Sequence, residues 1–181
     1  MRRIAFACLL SVLSAGLISA QEQPEHVYPL VKGHGGIVRL PDAVQQPRPL
    51  AKVVLDVTRG GREPDGVLTA LDRVARYVNL YAEAGAGFEQ GLEVAVVFHG
   101  GATVAALSDA AHQKHLGKPN PDMALIKNLA DLGVQFYVCG QSLTHAGYKP
   151  AETSSQVQVA VAAATALIEL QRDGYSYMPL F

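Results

Sequence analysis

The spacing of hydrophobic positions changes several times along the chain, and each change marks an element. Lys52-Val53-Val54-Leu55-Asp56-Val57-Thr58 is an apolar, β-branched run ending in Arg59-Gly60-Gly61, the pattern of a buried strand entering a turn. From Asp65 the period becomes three and four. Val67, Leu71, Val74, Val78 and Tyr81 predict an amphipathic helix capped by Asp65, with Asp72 and Arg76 paired on its wet face. Gly85 and Gly87 close it. Residues 93–98, with Val94, Val96 and Val97 as the body, form a second buried strand, followed directly by His99-Gly100-Gly101. A helix is expected over residues 102–115, stopped by Gly117. Asn120 as N-cap, Pro121 as first helical residue and Asp122 behind it open the next helix, which Gly133 ends. Val134-Gln135-Phe136-Tyr137-Val138 is a third strand, and Cys139-Gly140-Gln141-Ser142 leaves its end. A polar loop leads to Ser154 and Ser155, and a long helix is expected over residues 156–172. It is apolar or alanine nearly all round from Val157 to Ile168, so burial on two sides, against the core and against a second subunit, is expected. A last short strand is placed at residues 175–178.

Strands alternating with helices imply right-handed crossovers and a mainly parallel sheet covered on both faces. In such sheets sites form outside the carboxyl ends of the strands. The loops at residues 59–61, 99–101 and 139–145 are therefore brought to one edge by topology.

Two segments flank this pattern. Residues 21–50 hold Pro24, Pro29, Pro41, Pro47 and Pro49 with Gly33, Gly35 and Gly36 among them. They exclude a long helix or central strand and suggest an extended arm, with a short edge pairing around residues 36–40. Before the arm, Met1-Arg2-Arg3, the apolar stretch from Ile4 to Ile18 and Ser19-Ala20 make the three-part pattern of a secretory signal peptide over residues 1–20. An uncleaved anchor helix is the competing reading. Cleavage after Ala20 implies a periplasmic protein with no further membrane attachment. The organisation is thus a signal peptide (1–20), an arm (21–50) and an α/β domain (51–181).

The 181 residues suit one domain with a full core, and 49% hydrophobic against 17% charged residues excludes intrinsic disorder. The formal charge is −1 and no basic block occurs, so a nucleic-acid partner is not expected. Of the two cysteines, Cys8 lies inside the signal segment, which leaves Cys139 as the single thiol of the exported chain. An odd cysteine in an exported protein points to a reactive thiol or an intermolecular partner.

Cys139 ends a buried strand where a glycine and a polar turn begin. If Gln141 to Thr144 start a helical turn, their N–H groups favour the thiolate, which can accept sulfane sulfur as a persulfide, pass it on, or attack a disulfide. The opposing possibility is a cysteine packed as a small hydrophobe. No CxxC is present, which excludes a self-contained dithiol cycle. His99 could lower the cysteine's pKa, donate a proton or ligate metal, or be a loop histidine satisfied by a backbone carbonyl, while Gly100 permits close backbone approach. His145 could join His99 and Cys139 in a three-ligand site for a transition metal or thiophilic ligand. His112 and His115, spaced i, i+3 near a helix end, are expected on a solvated face. Walker, GxGxxG, GxSxG and HExxH motifs are all absent.

Taken in order, these motifs resemble the DsrE/DsrF-like family, in its exported branch. The resemblance is carried by Lys32-Gly33-His34-Gly35-Gly36-Ile37-Val38, Val53-Val54-Leu55-Asp56-Val57-Thr58, Ala75-Arg76-Tyr77-Val78-Asn79-Leu80-Tyr81 and Val96-Val97-Phe98-His99-Gly100. Gly133-Val134-Gln135-Phe136-Tyr137-Val138-Cys139-Gly140-Gln141-Ser142-Leu143 is its most specific piece, and Leu170-Gln171-Arg172-Asp173-Gly174-Tyr175 its last. What the resemblance implies is a three-layer α/β/α domain, flavodoxin-like in character, that assembles as a homo-oligomer, a trimer or hexamer. It also implies a sulfur carrier or sulfurtransferase with the persulfide on Cys139; no cofactor is expected. His99 is the second catalytic candidate, and Gly100, Gly140, Gln141, Ser142 and His145 are the substrate-binding candidates. Partners would be a sulfur donor or acceptor protein, or a small thiol or polysulfide. A metal- or ligand-binding module and a non-catalytic oligomer stand as alternatives, and fold alone does not choose among them.

Overall fold

A computed structural model describes residues 24–180; the expected signal peptide lies outside the described residues. Five strands, β1 (Lys52–Val57), β2 (Glu93–Phe98), β3 (Gln135–Cys139), β4 (Val157–Ala160) and β5 (Ser176–Leu180), form one all-parallel sheet in the order β4-β3-β2-β1-β5. The helices are α1 (Thr69–Glu83), α2 (Asp109–Leu116), α3 (Met123–Asp131), α4 (Gly140–His145) and α5 (Ala163–Arg172). The domain is a three-layer α/β fold.

The order follows from handedness. From β1 through β4 each strand is laid down on the same side of its predecessor, so right-handed crossovers place the intervening helices on one face. The return from β4 to β5 crosses the sheet in the opposite direction and puts α5 on the other face. Side chains confirm the division. Leu55, Val96, Phe98, Phe136 and Val138 pack with Leu71 and Val74 of α1 and with Leu125 and Leu129 of α3. Val54, Ala95, Val97 and Cys139, pointing the opposite way, pack with Ala163 and Leu170 of α5.

Several elements depart from the sequence expectation. Residues 156–172 are not one helix: Val157–Ala160 is a strand on β3, and the helix starts at Ala163. Val157, Val159 and Val161 alternate with Gln158 and Ala160, a strand period that merges with the alanine-rich run because no glycine or proline separates them. Within this chain the outward side of the segment is open, with Val161 before α5 75% and Ile168 on it 55% exposed. The helix expected over residues 102–115 divides into a 3-10 segment, Gly100–Ala106, and α2, which Ser108 caps by accepting a hydrogen bond from Ala111 N–H at 3.2 Å. Asp65 caps no helix but closes a turn onto Val67 N–H. The donor at the start of α1, Leu68 N–H, is satisfied instead by the buried Asp122 carboxylate at 2.7 Å. Asp122 itself, not Asn120, precedes α3, and β5 runs to Leu180 rather than Met178.

The arm is anchored by one side chain. Asn79 on α1 is fully buried; its Oδ1 accepts from the N–H groups of Leu30 and Val31, and its Nδ2 faces the carbonyls of Val31, His34 and Gly35. Gly35, at φ +62°, lies against the α1 backbone at Ala75 and Arg76 where no Cβ would fit. The edge pairing expected at residues 36–40 is a single antiparallel bridge between Val27 and Ile37.

Candidate functional site

The reversal in strand order determines where a site can form. The chain leaves β3 toward α4, whose Leu143 joins the wider core, but leaves β4 toward α5 on the opposite face. The starts of α4 and α5 are therefore brought together from opposite faces at the carboxyl ends of β3 and β4. Cys139 stands between them. Its Sγ caps α4, accepting from Ser142 N–H at 3.4 Å, and the N–H groups of Gln141 and of Ala163, the first residue of α5, also reach it. Burial, the largest influence, pushes the Cys139 thiol pKa up. The Ser142 hydroxyl and the backbone donors of Ser142, Ala163 and Gln141 together outweigh it, and the net result is a pKa below that of an ordinary thiol. The residue is 5% exposed.

Close backbone packing builds the cradle. A Cβ on Gly140 would sit 2.9 Å from Ala160 O and 3.4 Å from Val161 O, so only glycine allows the β4–α5 turn to approach the start of α4. The β1 and β2 loops meet similarly, since a Cβ on Gly60 would fall 2.8 Å from Gly101 O. Ser142 joins the two halves, its Oγ accepting from Gly100 N–H at 3.4 Å. Gly100, Gln141, Ser142, Thr144 and His145 line an open groove of about 600 Å³.

Of the sequence candidates, Cys139, Gly140, Gln141, Ser142 and Gly100 come together, with His145 on the rim. His99 follows β2, the strand beside Cys139, and its ring is engaged by Asp56 of β1. Its Nε2 lies 2.6 Å from Asp56 Oδ1, and Tyr177 OH donates to Asp56 Oδ2 at 2.7 Å. The donors that lower the Cys139 pKa thus come from the backbone and Ser142, not from His99. Among the described residues, no group of three or more His, Cys, Asp or Glu is placed to hold a metal ion. His112 is buried, with Nδ1 2.7 Å from Lys118 O, contrary to the solvated face expected for it, and His115 pairs with Glu152.

Asp56, Tyr177 and the Ala163 N–H did not emerge from the sequence. Asp56 was available as a carboxylate inside an otherwise apolar strand, because a central strand admits such a residue only with partners. Ala163 N–H carries no side-chain signal, and finding it required β4 to be recognised as a strand.

Known proteins agree with this architecture. The protein of unknown function MTH1491 from Methanobacterium thermoautotrophicum, a solved structure, superposes with a TM-score of 0.53 at 18% identity, covering 72% of this chain and 99% of that one. The likeness is one of fold. No curated protein matches the chain. The model of the DsrE/DsrF-like family matches residues 67–180, from the start of α1 through β5 and including β2, β3 and Cys139. The chain therefore belongs to the DsrE/DsrF-like family, a family of sulfur-relay type.

Proposed function

We propose that the protein is a periplasmic sulfur carrier that holds a persulfide on Cys139 and exchanges it with a donor or acceptor protein, or with a small thiol or polysulfide. The observation that carries this role is the set of donors around Sγ: backbone N–H groups from two helix starts and the Ser142 hydroxyl, all favouring the thiolate. A thiolate attacks sulfane sulfur, whereas a thiol does not. The groove beside it is open and lined by the polar groups of Gln141, Ser142, Thr144 and His145, which suits a small or peptide-borne sulfur donor. Assembly as a homo-oligomer, a trimer or hexamer, belongs to the same proposal. Val159, Val161, Ile168 and Tyr177 leave apolar surface open on β4, α5 and β5, and sedimentation would report the assembly.

The test is the intact mass of the mature protein after exposure to polysulfide, beside Cys139→Ser. One added sulfur, removed by reductant and absent from the variant, is expected. A second reading, an inert cysteine in a non-catalytic oligomer, is favoured by the 5% exposure of Cys139. It would be established by a folded protein that takes no sulfur and a thiol that reacts only after unfolding.

A further inference from the structure

The side chains left over by the cysteine site are Asp56, His99 and Tyr177, and their arrangement is specific. Asp56 is 8% exposed, and both its oxygens are occupied, by His99 Nε2 at 2.6 Å and by Tyr177 OH at 2.7 Å. A carboxylate only accepts, so His99 donates to it through Nε2–H. Among the described residues no hydrogen bond occupies Nδ1. Strand register sets His99 beside the cysteine along the backbone. Phe98 pairs with Val138, so His99 and Cys139 are the next residues along neighbouring strands, and Asp56, which holds the ring, alternates with Leu55 and so shares the face of Val54 and Cys139. Adjacent strands lie about 4.8 Å apart. From the other packed elements, α5 presents Ala163, Leu167 and Leu170 to this face, while its Glu169 and Arg172 pair with each other at the surface.

We propose that Asp56, held by Tyr177, is a positioning residue that fixes His99 as the Nε2–H tautomer, so that Nδ1 carries the proton during sulfur transfer at Cys139. This rests on the sulfur-carrier role proposed above. The substrate class is a persulfide, R–S–SH. The Cys139 thiolate attacks the outer sulfur, a new S–S bond forms and the R–S bond to that sulfur breaks, releasing R–S⁻. The proton on the transferred sulfur passes to Nδ1 of His99, leaving Cys139–S–S⁻, and the imidazolium, steadied by Asp56, returns it to R–S⁻. Thiolate and persulfide become enzyme persulfide and R–SH, with no external oxidant or reductant. Asp56 never touches the sulfur; it acts through the ring.

The experiment combines two readouts on the full mature chain, with cysteine persulfide as the probe. Ring ¹⁵N spectra are expected to show His99 as a single Nε2–H tautomer in the native protein and as a mixture in Asp56→Asn. Loading of Cys139, timed by intact mass, is expected to slow about 10²-fold in Asp56→Asn and in His99→Ala, with no further loss when the two are combined. Tyr177→Phe, at an exposed edge, keeps the carboxylate and is expected to slow loading only a few-fold; it remains informative if Asp56→Asn does not fold. Unchanged loading in Asp56→Asn, or equal slowing by Asp56→Asn with and without His99, would overturn the positioning role while leaving the carrier intact. If Asp56→Asn does not fold, unchanged loading in Tyr177→Phe with an unchanged tautomer would overturn it. A native protein that takes up no sulfur would overturn the carrier role, and the positioning role with it.

Discussion

The two faces of the sheet share five strands but are built on different terms. The wider face is covered by α1, α3 and the 3-10 segment Gly100–Ala106, and it buries aromatic and branched side chains such as Phe98, Phe136, Leu71 and Ile126. Among the described residues the narrower face is covered by α5 alone, and its buried apolar set is Val54, Ala95, Val97, Cys139, Ala163, Leu170 and Tyr175. Polar groups take the remaining positions: Asp56 with His99 and Tyr177 at the carboxyl end, and Glu93 with Lys52, Gln135 and Tyr175 at the amino end. One face supplies the cohesion that lets the other carry ionisable groups close to the sheet. Cys139 belongs to the less covered face.

Stability variants give the sharpest contrast. Phe136, 1% exposed and stacked on Phe98 with ring centroids 5.8 Å apart, is expected to cost about 3–5 kcal/mol as Phe136→Ala, and Leu170→Ala on the narrow face about 2–3 kcal/mol. Urea unfolding reads both, and a reversed order would break the comparison. Ser142→Ala separates chemistry from cohesion. Stability is expected to change by about 1 kcal/mol or less, while the pH midpoint of Cys139 alkylation rises, because the lost hydroxyl favoured the thiolate. An unmoved midpoint would transfer the whole effect to the backbone donors. The smallest effect is alkaline. Burial, then the hydrogen bond to Glu93, pushes the Tyr175 phenol up to about 12. The folded protein keeps a proton that the unfolded chain loses near the ordinary value of about 10, so this stabilisation is whole below about pH 10 and is lost as pH rises through about 12. Unfolding series between pH 9 and 11 should show the decline in the native chain and a flatter course in Tyr175→Phe.

The wider face was largely legible in the sequence because period and burial agree there. Continuous apolar runs gave β1, β2 and β3, and the three-four spacing of Val67, Leu71, Val74 and Val78 gave α1, all of them central elements with a strong hydrophobic signal. The narrower face was not. The edge strand β4 is four residues long with only Val157 buried, and its valines continue into the alanines of α5, so a short strand and a helix share one apolar run. Of the site, Cys139 and its following turn were visible as a strand end meeting Gly140, and the structure brings that turn to the thiol. The partner of His99 was not visible, because Asp56 lies 43 residues earlier and the two meet only through the β1–β2 pairing.

The cradle around Cys139 has a further consequence in time. Gln141 and Ser142 are near in sequence, but Ala163 arrives only after β4 has paired with β3 and α5 has closed over the sheet. A helix as short as the six residues of α4 does not hold itself together. In a half-folded chain the sulfur lacks this set of donors, which is complete only once β4 and α5 have docked. Completion of the fold is thus what shifts the thiol toward the thiolate, and an unfinished copy keeps the pKa of an ordinary cysteine.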